Sequence, residues 1–188
     1  LLASGLITDG QATALAGRLL GLEEFSGWGV RTLAATEAAY NPLGYHVGSV
    51  WPHDTAVVLR GLSHRNLWAE TERVAQALLD LSMAVDYQLP ELLGGFDRSS
   101  FPAPVPYPGS ARPQAWAAAV PIQTITALLG LRPAIHGNEI RVRPRLQPHD
   151  HLTVTDLRLG PRRIHIEASG RKATVAGDTV GLSVIVES

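Results

Sequence analysis

Two acidic residues lie in a part of the chain that is rich in aromatic and turn-forming residues, and they are the candidates for acid–base chemistry. Asp54 ends the run Gly-Ser-Val-Trp-Pro-His-Asp at 48–54, and Glu91 lies in Leu-Pro-Glu-Leu at 89–92. Aromatic rings stack on the apolar faces of pyranose rings, while polar groups bind their hydroxyls. Residues 25–116, which hold both acids, are therefore typical of a sugar-binding cleft.

Glu91 is the candidate general base. Inverting glycoside hydrolysis requires two carboxyls roughly 6.5–9.5 Å apart, one to protonate the leaving oxygen and one to activate water. Glu91 follows Pro90 and opens a glycine-rich loop, from which it can project into a cleft. The alternative is a carboxylate on the surface of a loop or at a helix end.

Asp54 has three possible roles. It falls in the first turn of a helix that is expected to begin at Pro52, where the helix dipole favours the ionised form. That setting suits binding a sugar hydroxyl or stabilising the helix start better than it suits donating a proton. Asp54 is therefore predicted to bind substrate, with helix stabilisation as the main alternative.

The candidate sugar-binding rings are those with glycine neighbours. Trp28 and Trp51 are candidate stacking platforms, and the alternative for each is core packing. Tyr45 and His46 lie between glycines and are candidate hydroxyl-binding groups. Arg31 is as compatible with a buried ion pair as with a sugar contact.

No metal site and no cofactor is expected. His46 and His53 lack the i,i+4 spacing of helical metal ligands, and no partner ligand is evident for them. A metalloenzyme that uses these histidines is the weaker alternative. The chain contains no cysteine, so disulfides and cysteine-based zinc sites are excluded.

Helical spacing and caps predict four helices in the first part of the chain. They run from a Thr8 or Asp9 cap to Leu20, from Pro52 to Leu62, from an Asn66 cap to about Val85, and from Pro113 to Leu129 with a kink at Pro121. Between them, residues 88–112 hold many prolines and form a long loop that can be neither helix nor central strand. Its aromatic residues favour an ordered loop.

The hydrophobic period changes to two after residue 131. Alternating segments separated by turn residues predict about five strands in a small antiparallel sheet. The predicted domains are therefore 1–131, which is helical, and 132–188, a C-terminal β module. The fold class is mainly α with this β module.

Composition excludes several partners. The chain has 188 residues, is 45% hydrophobic and 18% charged, and carries a net charge of −1. No basic footprint indicates a nucleic acid, and no apolar run approaches the roughly 20 residues that span a bilayer. These features, with the absence of cysteine, predict a cytoplasmic protein that binds neither nucleic acid nor membrane.

Four segments of the chain resemble one family. Residues 25–33, 40–54, 89–92 and 113–116 resemble the C-terminal part of bacterial glycogen debranching enzyme and amylo-alpha-1,6-glucosidase-like proteins, within the glucoamylase-like inverting glycoside hydrolases. The resemblance covers nearly the whole chain, and its most specific part is the run at 48–54. Thr55 departs from it, since an asparagine is expected there.

The resemblance implies a fold and an activity. The fold is an (α/α)6 barrel, the six-hairpin glycosidase toroid, of which this chain would be the last portion followed by the β module. The activity is hydrolysis of α-glucosidic, glycogen- or maltooligosaccharide-like links, with Glu91 as base and the acid in a loop upstream of Leu1. The isolated chain is then expected to be inactive.

Two expectations concern partners and the alternative function. The substrate is an oligo- or polysaccharide, and uncovered helix faces predict either a missing N-terminal barrel half or self-association. The alternative is a non-catalytic carbohydrate-binding or structural fragment, because half of the two-carboxyl site is missing.

Overall fold

The computed structural model describes residues 1–187, which form two compact units. The first unit is Leu1–Thr124, and the second begins at Ile125, inside the last helix. Helix accounts for 30% of the chain and strand for 22%. No helix in the described range is both long enough and apolar enough to cross a bilayer.

Helix α1, Asp9–Leu19, begins at the predicted cap. The Thr8 hydroxyl accepts the Gln11 N–H at 3.3 Å, and the Thr8 N–H donates to the Gln11 side chain at 2.9 Å. This reciprocal pair satisfies two N–H groups that the first helical turn leaves without partners. The helix buries Ala12 and Ala16.

Helices α2, Pro52–His64, and α3, Trp68–Ala84, are joined by a short turn and pack against each other. The predicted start of α2 at Pro52 is confirmed. Proline is favoured at the first helical position because the N–H that it lacks would have no partner within the helix. The predicted cap at Asn66 is wrong. The cap position is Leu67, and Asn66 adopts a left-handed φ of 57° in the turn.

The last predicted helix is two helices. Helix α4 is Ala115–Ala118 and α5 is Val120–Leu128. Pro121 has no N–H to donate to the preceding turn and is tolerated only in a first turn, so a new helix begins beside it. The predicted kink is thus a break at Ala119.

The expected fold class, mainly α and the last part of an (α/α)6 barrel, is wrong. Such a barrel is a ring of paired helices, and helical periodicity identifies each helix without showing what covers it. In the described chain, residues 20–51 and 85–114 contain no α-helix, because their prolines and glycines fix turns. The expected missing barrel half has no remaining support, whereas self-association stays a prediction.

The second unit contains six strands in two three-stranded sheets. The strands are β1 (Arg132–Ala134), β2 (Glu139–Val142), β3 (His151–Leu159), β4 (Arg162–Ser169), β5 (Lys172–Gly177) and β6 (Ser183–Val186). One sheet has the order β3-β4-β5 and is antiparallel throughout. The other has the order β1-β2-β6, and β6 pairs parallel to β2. The expected single antiparallel sheet of about five strands is therefore wrong, since alternation predicts faces and not neighbours.

Both sheets bury the apolar residues of their alternating pattern in one core. The fully buried members are Leu129, Ile140, Val142, Ile164, Ile166 and Ala168. Strand β3 carries a bulge between Val154 and Leu157, where Asp156 has a φ of 59°. The bulge turns the strand without interrupting this core.

Candidate functional site

Single-residue bridges bring the separate loops of the first unit together. Val50 bridges Leu93, and Leu93 bridges Pro106, all in antiparallel orientation. Val50 and Leu93 exchange both backbone hydrogen bonds, at 3.0 and 2.9 Å. Residues within two positions of these three in the sequence are therefore brought near one another, and they include Trp51, Glu91 and Tyr107.

Tyr45 and Glu91 are hydrogen bonded to each other. The Tyr45 hydroxyl donates to Oε1 of Glu91 at 2.7 Å. This bond raises the pKa of the Tyr45 phenol above its ordinary value, with smaller contributions from desolvation and from the negative charge of Glu91. The Glu91 carboxylate is thus held against the Tyr45 ring.

Three further rings pack around Tyr45, and these four rings together with Glu91 are called the Tyr45 cluster. The Tyr45 ring centroid lies 4.6 Å from that of His46, 4.9 Å from Trp51 and 5.9 Å from Tyr107, in edge-on geometry. His46 stacks on Trp51 with an interplanar angle of 9°. Tyr45 and His46 are exposed, and Tyr107 and Glu91 are half-buried. The Tyr45 cluster therefore presents aromatic rings and polar groups to solvent at one place on the surface.

Trp51 serves as the inner wall of the cluster. Its side chain is 6% exposed, and its indole N–H lies 3.1 Å from both the Tyr45 carbonyl and the Ser49 hydroxyl. Since the ring is also covered by His46, it fixes the positions of Tyr45 and His46 more than it offers a face to a ligand.

Trp28 lies outside the Tyr45 cluster. It is 3% exposed, and the Arg98 guanidinium covers its ring at 4.2 Å. No contact in the described structure joins it to Glu91 or Tyr45, and its buried indole N–H has no hydrogen-bond partner among the described residues. The ring is packed in the core, which fits the alternative that the sequence left open for Trp28.

Asp54 also makes no contact with the Tyr45 cluster among the described residues. It lies in the first turn of α2 with a side chain that is 63% exposed, 3.3 Å from Nδ1 of His53. The His53 ring in turn lies 5.2 Å from Trp116, which is 57% exposed. The geometry therefore fits the helix-start role that the sequence left open for Asp54.

Two polar residues of the same region are structural. Thr55 is fully buried, and its hydroxyl accepts the Val30 N–H at 3.1 Å. Arg31 is buried and donates to the carbonyls of Gly95, Leu22 and Glu23 at 2.7, 3.0 and 3.1 Å. Its Nη2 also lies 3.4 Å from Oδ2 of Asp97. Arg31 thus anchors the loop that follows Glu91, and the geometry fits the buried ion pair rather than a sugar contact.

Tyr107 is the member of the cluster that sequence reasoning missed as a site residue. It follows Pro106 in a proline-rich loop, where an aromatic residue predicts only that the loop is ordered. The prolines on both sides hold the backbone extended and give the ring a fixed direction. A proline on each side of an aromatic residue is therefore the sequence signal that could have identified Tyr107.

Comparison with protein-family models and with curated proteins gave no match to this chain. Among residues 1–187, no three histidine, aspartate or glutamate side chains lie together in a position to hold a metal ion. The Tyr45 cluster offers one carboxylate, two phenols and an imidazole beside an indole wall. This set can bind hydroxyl groups and move a proton.

Proposed function

We propose that this chain provides the saccharide-binding surface and the general base of a glycoside hydrolase. The substrates are α-glucosidic, glycogen- or maltooligosaccharide-like links, and the mechanism is inversion. The observation that supports this is the Tyr45–Glu91 hydrogen bond within a cluster of exposed rings. We place the protein in the cytoplasm, since a chain without cysteine suits a reducing compartment.

Glu91 suits the role of base because one of its oxygens is held and the other is open. Oε1 accepts the Tyr45 hydroxyl, and within the described residues Oε2 has no hydrogen-bond partner. An ionised carboxylate fixed through one oxygen can take a proton from water at the other. The water would then attack the anomeric carbon from the face opposite the leaving oxygen.

The rings of the Tyr45 cluster suit a neutral sugar. Tyr45 and His46 expose ring surface for stacking, and His46 adds an imidazole nitrogen for a hydroxyl group. Tyr107 approaches from the proline-rich loop, 5.9 Å from Tyr45 between ring centroids. A pyranose that contacts these rings would lie beside the Glu91 carboxylate.

A non-catalytic carbohydrate-binding role is the second candidate. Inversion requires a second carboxyl, and among the described residues no carboxylate other than Glu91 contacts the Tyr45 cluster. Asp54 is exposed and paired with His53. With one carboxylate, the chain binds a saccharide without cleaving it unless an acid comes from elsewhere.

The experiment has a binding arm and a turnover arm. Isotope-labelled protein is titrated with maltoheptaose, and with cellohexaose as the β-linked control, while the NMR shifts of Tyr45, His46 and Tyr107 are followed. We expect saturable shifts at these residues with the α-linked sugar. Absence of binding, or shifts confined to other residues, would reject both candidates.

The turnover arm separates the two candidates. Glucose release and the anomer released are measured for the wild type, for Glu91→Gln and for Glu37→Gln, an exposed carboxylate of the same unit as the control. Release of β-glucose by the wild type and by Glu37→Gln, but not by Glu91→Gln, supports the hydrolase. Loss of a general base should lower the rate of release by about 10²–10⁴-fold. Saccharide binding without release supports the non-catalytic role for the chain alone.

A further inference from the structure

The segment that leads from α3 to Glu91 adopts an uncommon backbone conformation. Asp86 and Tyr87 are consecutive residues with φ of 53° and 60°. Left-handed backbone is unfavourable for residues other than glycine, and two in succession require support from the surrounding structure. Tyr87 is also 72% exposed, so its own side chain supplies little of that support.

Arg112 adds side-chain support to the backbone hydrogen bonds that close this turn. Its Nε donates to the Gln88 carbonyl at 3.1 Å and its Nη2 to the Val85 carbonyl at 2.6 Å, on either side of the two left-handed residues. Nη2 is also 4.0 Å from the Asp86 carboxylate. A planar guanidinium holds two carbonyls at a fixed spacing, which a lysine ammonium does not do.

The residues that precede Arg112 hold the backbone of Glu91. The Glu91 N–H donates to the Ala111 carbonyl at 2.9 Å. The Ser110 hydroxyl accepts the Leu92 N–H at 3.2 Å and donates to the Leu92 carbonyl at 3.0 Å. Residues 110–112 therefore contact the chain before, at and after the carboxylate.

We propose that Arg112 is a positioning residue for Glu91. Its guanidinium fixes the exit of α3 against the strand-like segment that holds Glu91, and so sets the carboxylate against the Tyr45 hydroxyl. The consequence for catalysis rests on the function proposed for Glu91, whereas the positioning itself does not. Arg112 acts through Glu91 and does not itself touch the sugar.

The test follows the Tyr45 phenol in the full chain. Tyrosine labelled at the ring Cζ carbon is titrated through the alkaline range by NMR, with Tyr45→Phe to assign the resonance. In Arg112→Gln we expect the Tyr45 midpoint to move down toward that of an ordinary phenol, at about 10, because the bond to Glu91 is lost. Arg18→Gln is the control, an exposed arginine with one ion pair in the same unit.

A second variant keeps the proposal falsifiable if Arg112→Gln is poorly folded. Ser110→Ala removes the bonds to Leu92 and leaves Arg112 in place, and it should move the Tyr45 midpoint in the same direction. An unchanged midpoint in both folded variants would overturn the proposal, even if the urea midpoint of unfolding falls. A structural role alone would lower that urea midpoint without moving Tyr45.

Saccharide measurements keep this proposal distinct from the proposed function. If the wild type hydrolyses or binds maltoheptaose, Arg112→Gln should lower kcat or affinity about tenfold or more with Arg18→Gln unchanged. If the wild type does neither, the proposed function fails, while the Tyr45 titration still decides whether Arg112 positions Glu91.

Discussion

The Tyr45 hydroxyl lies 2.7 Å from Oε1 of Glu91, although 46 positions of sequence separate the two residues. The bond joins the loop before α2 to the loop after α3. It places a carboxylate beside exposed rings, and it fixes one oxygen of that carboxylate. Removing the hydroxyl is therefore the most direct test of the site.

Tyr45→Phe keeps the ring and removes the hydrogen bond. We expect affinity for maltoheptaose to fall about tenfold, the loss typical of a hydrogen bond to a charged group. The free energy of unfolding should fall by about 1 kcal/mol, because a hydrogen bond to a carboxylate is lost where Tyr45 is 40% exposed. Isothermal titration calorimetry and urea unfolding measure the two effects. Tyr87→Phe is the control, and equal affinity in the two variants would contradict the prediction.

Arg31→Met should destabilise the first unit. The substitution puts an apolar side chain of similar length in place of the guanidinium and removes its hydrogen bonds to the carbonyls of Gly95, Leu22 and Glu23. Because these bonds come from a buried charged group, their removal predicts a loss of about 3 kcal/mol in the free energy of unfolding.

Urea unfolding followed by tryptophan fluorescence checks the prediction for Arg31. Arg18→Met, which removes one exposed ion pair, should cost no more than about 0.5 kcal/mol. Similar losses in both variants would show that Arg31 is not an anchor.

Gly95→Ala should be poorly tolerated. A Cβ at Gly95 would lie 1.7 Å from the Gly48 carbonyl oxygen, so one of the two backbones must move. We expect a loss of about 3 kcal/mol in the free energy of unfolding, together with a shift of the Glu91 loop.

Gly17→Ala is the matched control for Gly95. It lies in α1 with open space around it and should stabilise the protein by about 0.5–1 kcal/mol. Thermal unfolding of both variants measures the contrast. A Gly95→Ala protein as stable as the wild type would mean that the two loops are not in contact.

The lowered pKa of Asp97 predicts that the protein loses stability in acid. Hydrogen bonds from the Ser99 side chain and backbone, and then the Arg31 guanidinium, hold the pKa of this carboxyl below its ordinary value of 3.8. A pKa lowered by folding gives stability that is complete above the unfolded value and lost as the pH falls through the folded value.

The comparison that tests Asp97 is between wild type and Asp97→Asn. The difference in their free energies of unfolding should be constant near neutral pH and shrink below about pH 4, where the wild-type carboxyl is also neutral. Urea unfolding at a series of pH values gives that difference. A difference that grows toward acid would contradict the assignment.

Local chemistry in the sequence predicted the starts of α1 and α2. The Thr8 cap and the Pro52 start follow from hydrogen-bonding groups a few residues apart, which the sequence displays directly. The strands of the second unit follow in the same way from period-two alternation. Their partners do not, since alternation carries no information about direction, and β6 pairs with β2 although three strands, β3 to β5, lie between them in the sequence.

The candidate site was predictable in its residues and not in its arrangement. Glu91, Tyr45, His46 and Trp51 were recognised by type and by glycine and proline context, and the structure places them together. The bridges that do this are single residues, Val50, Leu93 and Pro106, too short to leave a periodic pattern. Trp28 has the same glycine context, but a guanidinium 70 positions later in the sequence covers it, and no local signal predicts that.

The predicted fold class is wrong for a related reason. Helices α2 and α3 have the lengths and spacing of barrel helices, but the connections on either side are long and irregular. Proline and glycine in those connections fix local turns, while the contacts that stabilise them come from distant carbonyl groups such as that of Gly95. Sequence patterns identify such loops without showing their paths.

Strand β2 obtains its second neighbour from the last strand of the described chain, in the register Ile140 to Val184. During translation, one edge of β2 has no partner until Ser183–Val186 leave the ribosome. A nascent chain that stalls or is released before that point presents open backbone N–H and C=O groups to any other chain nearby.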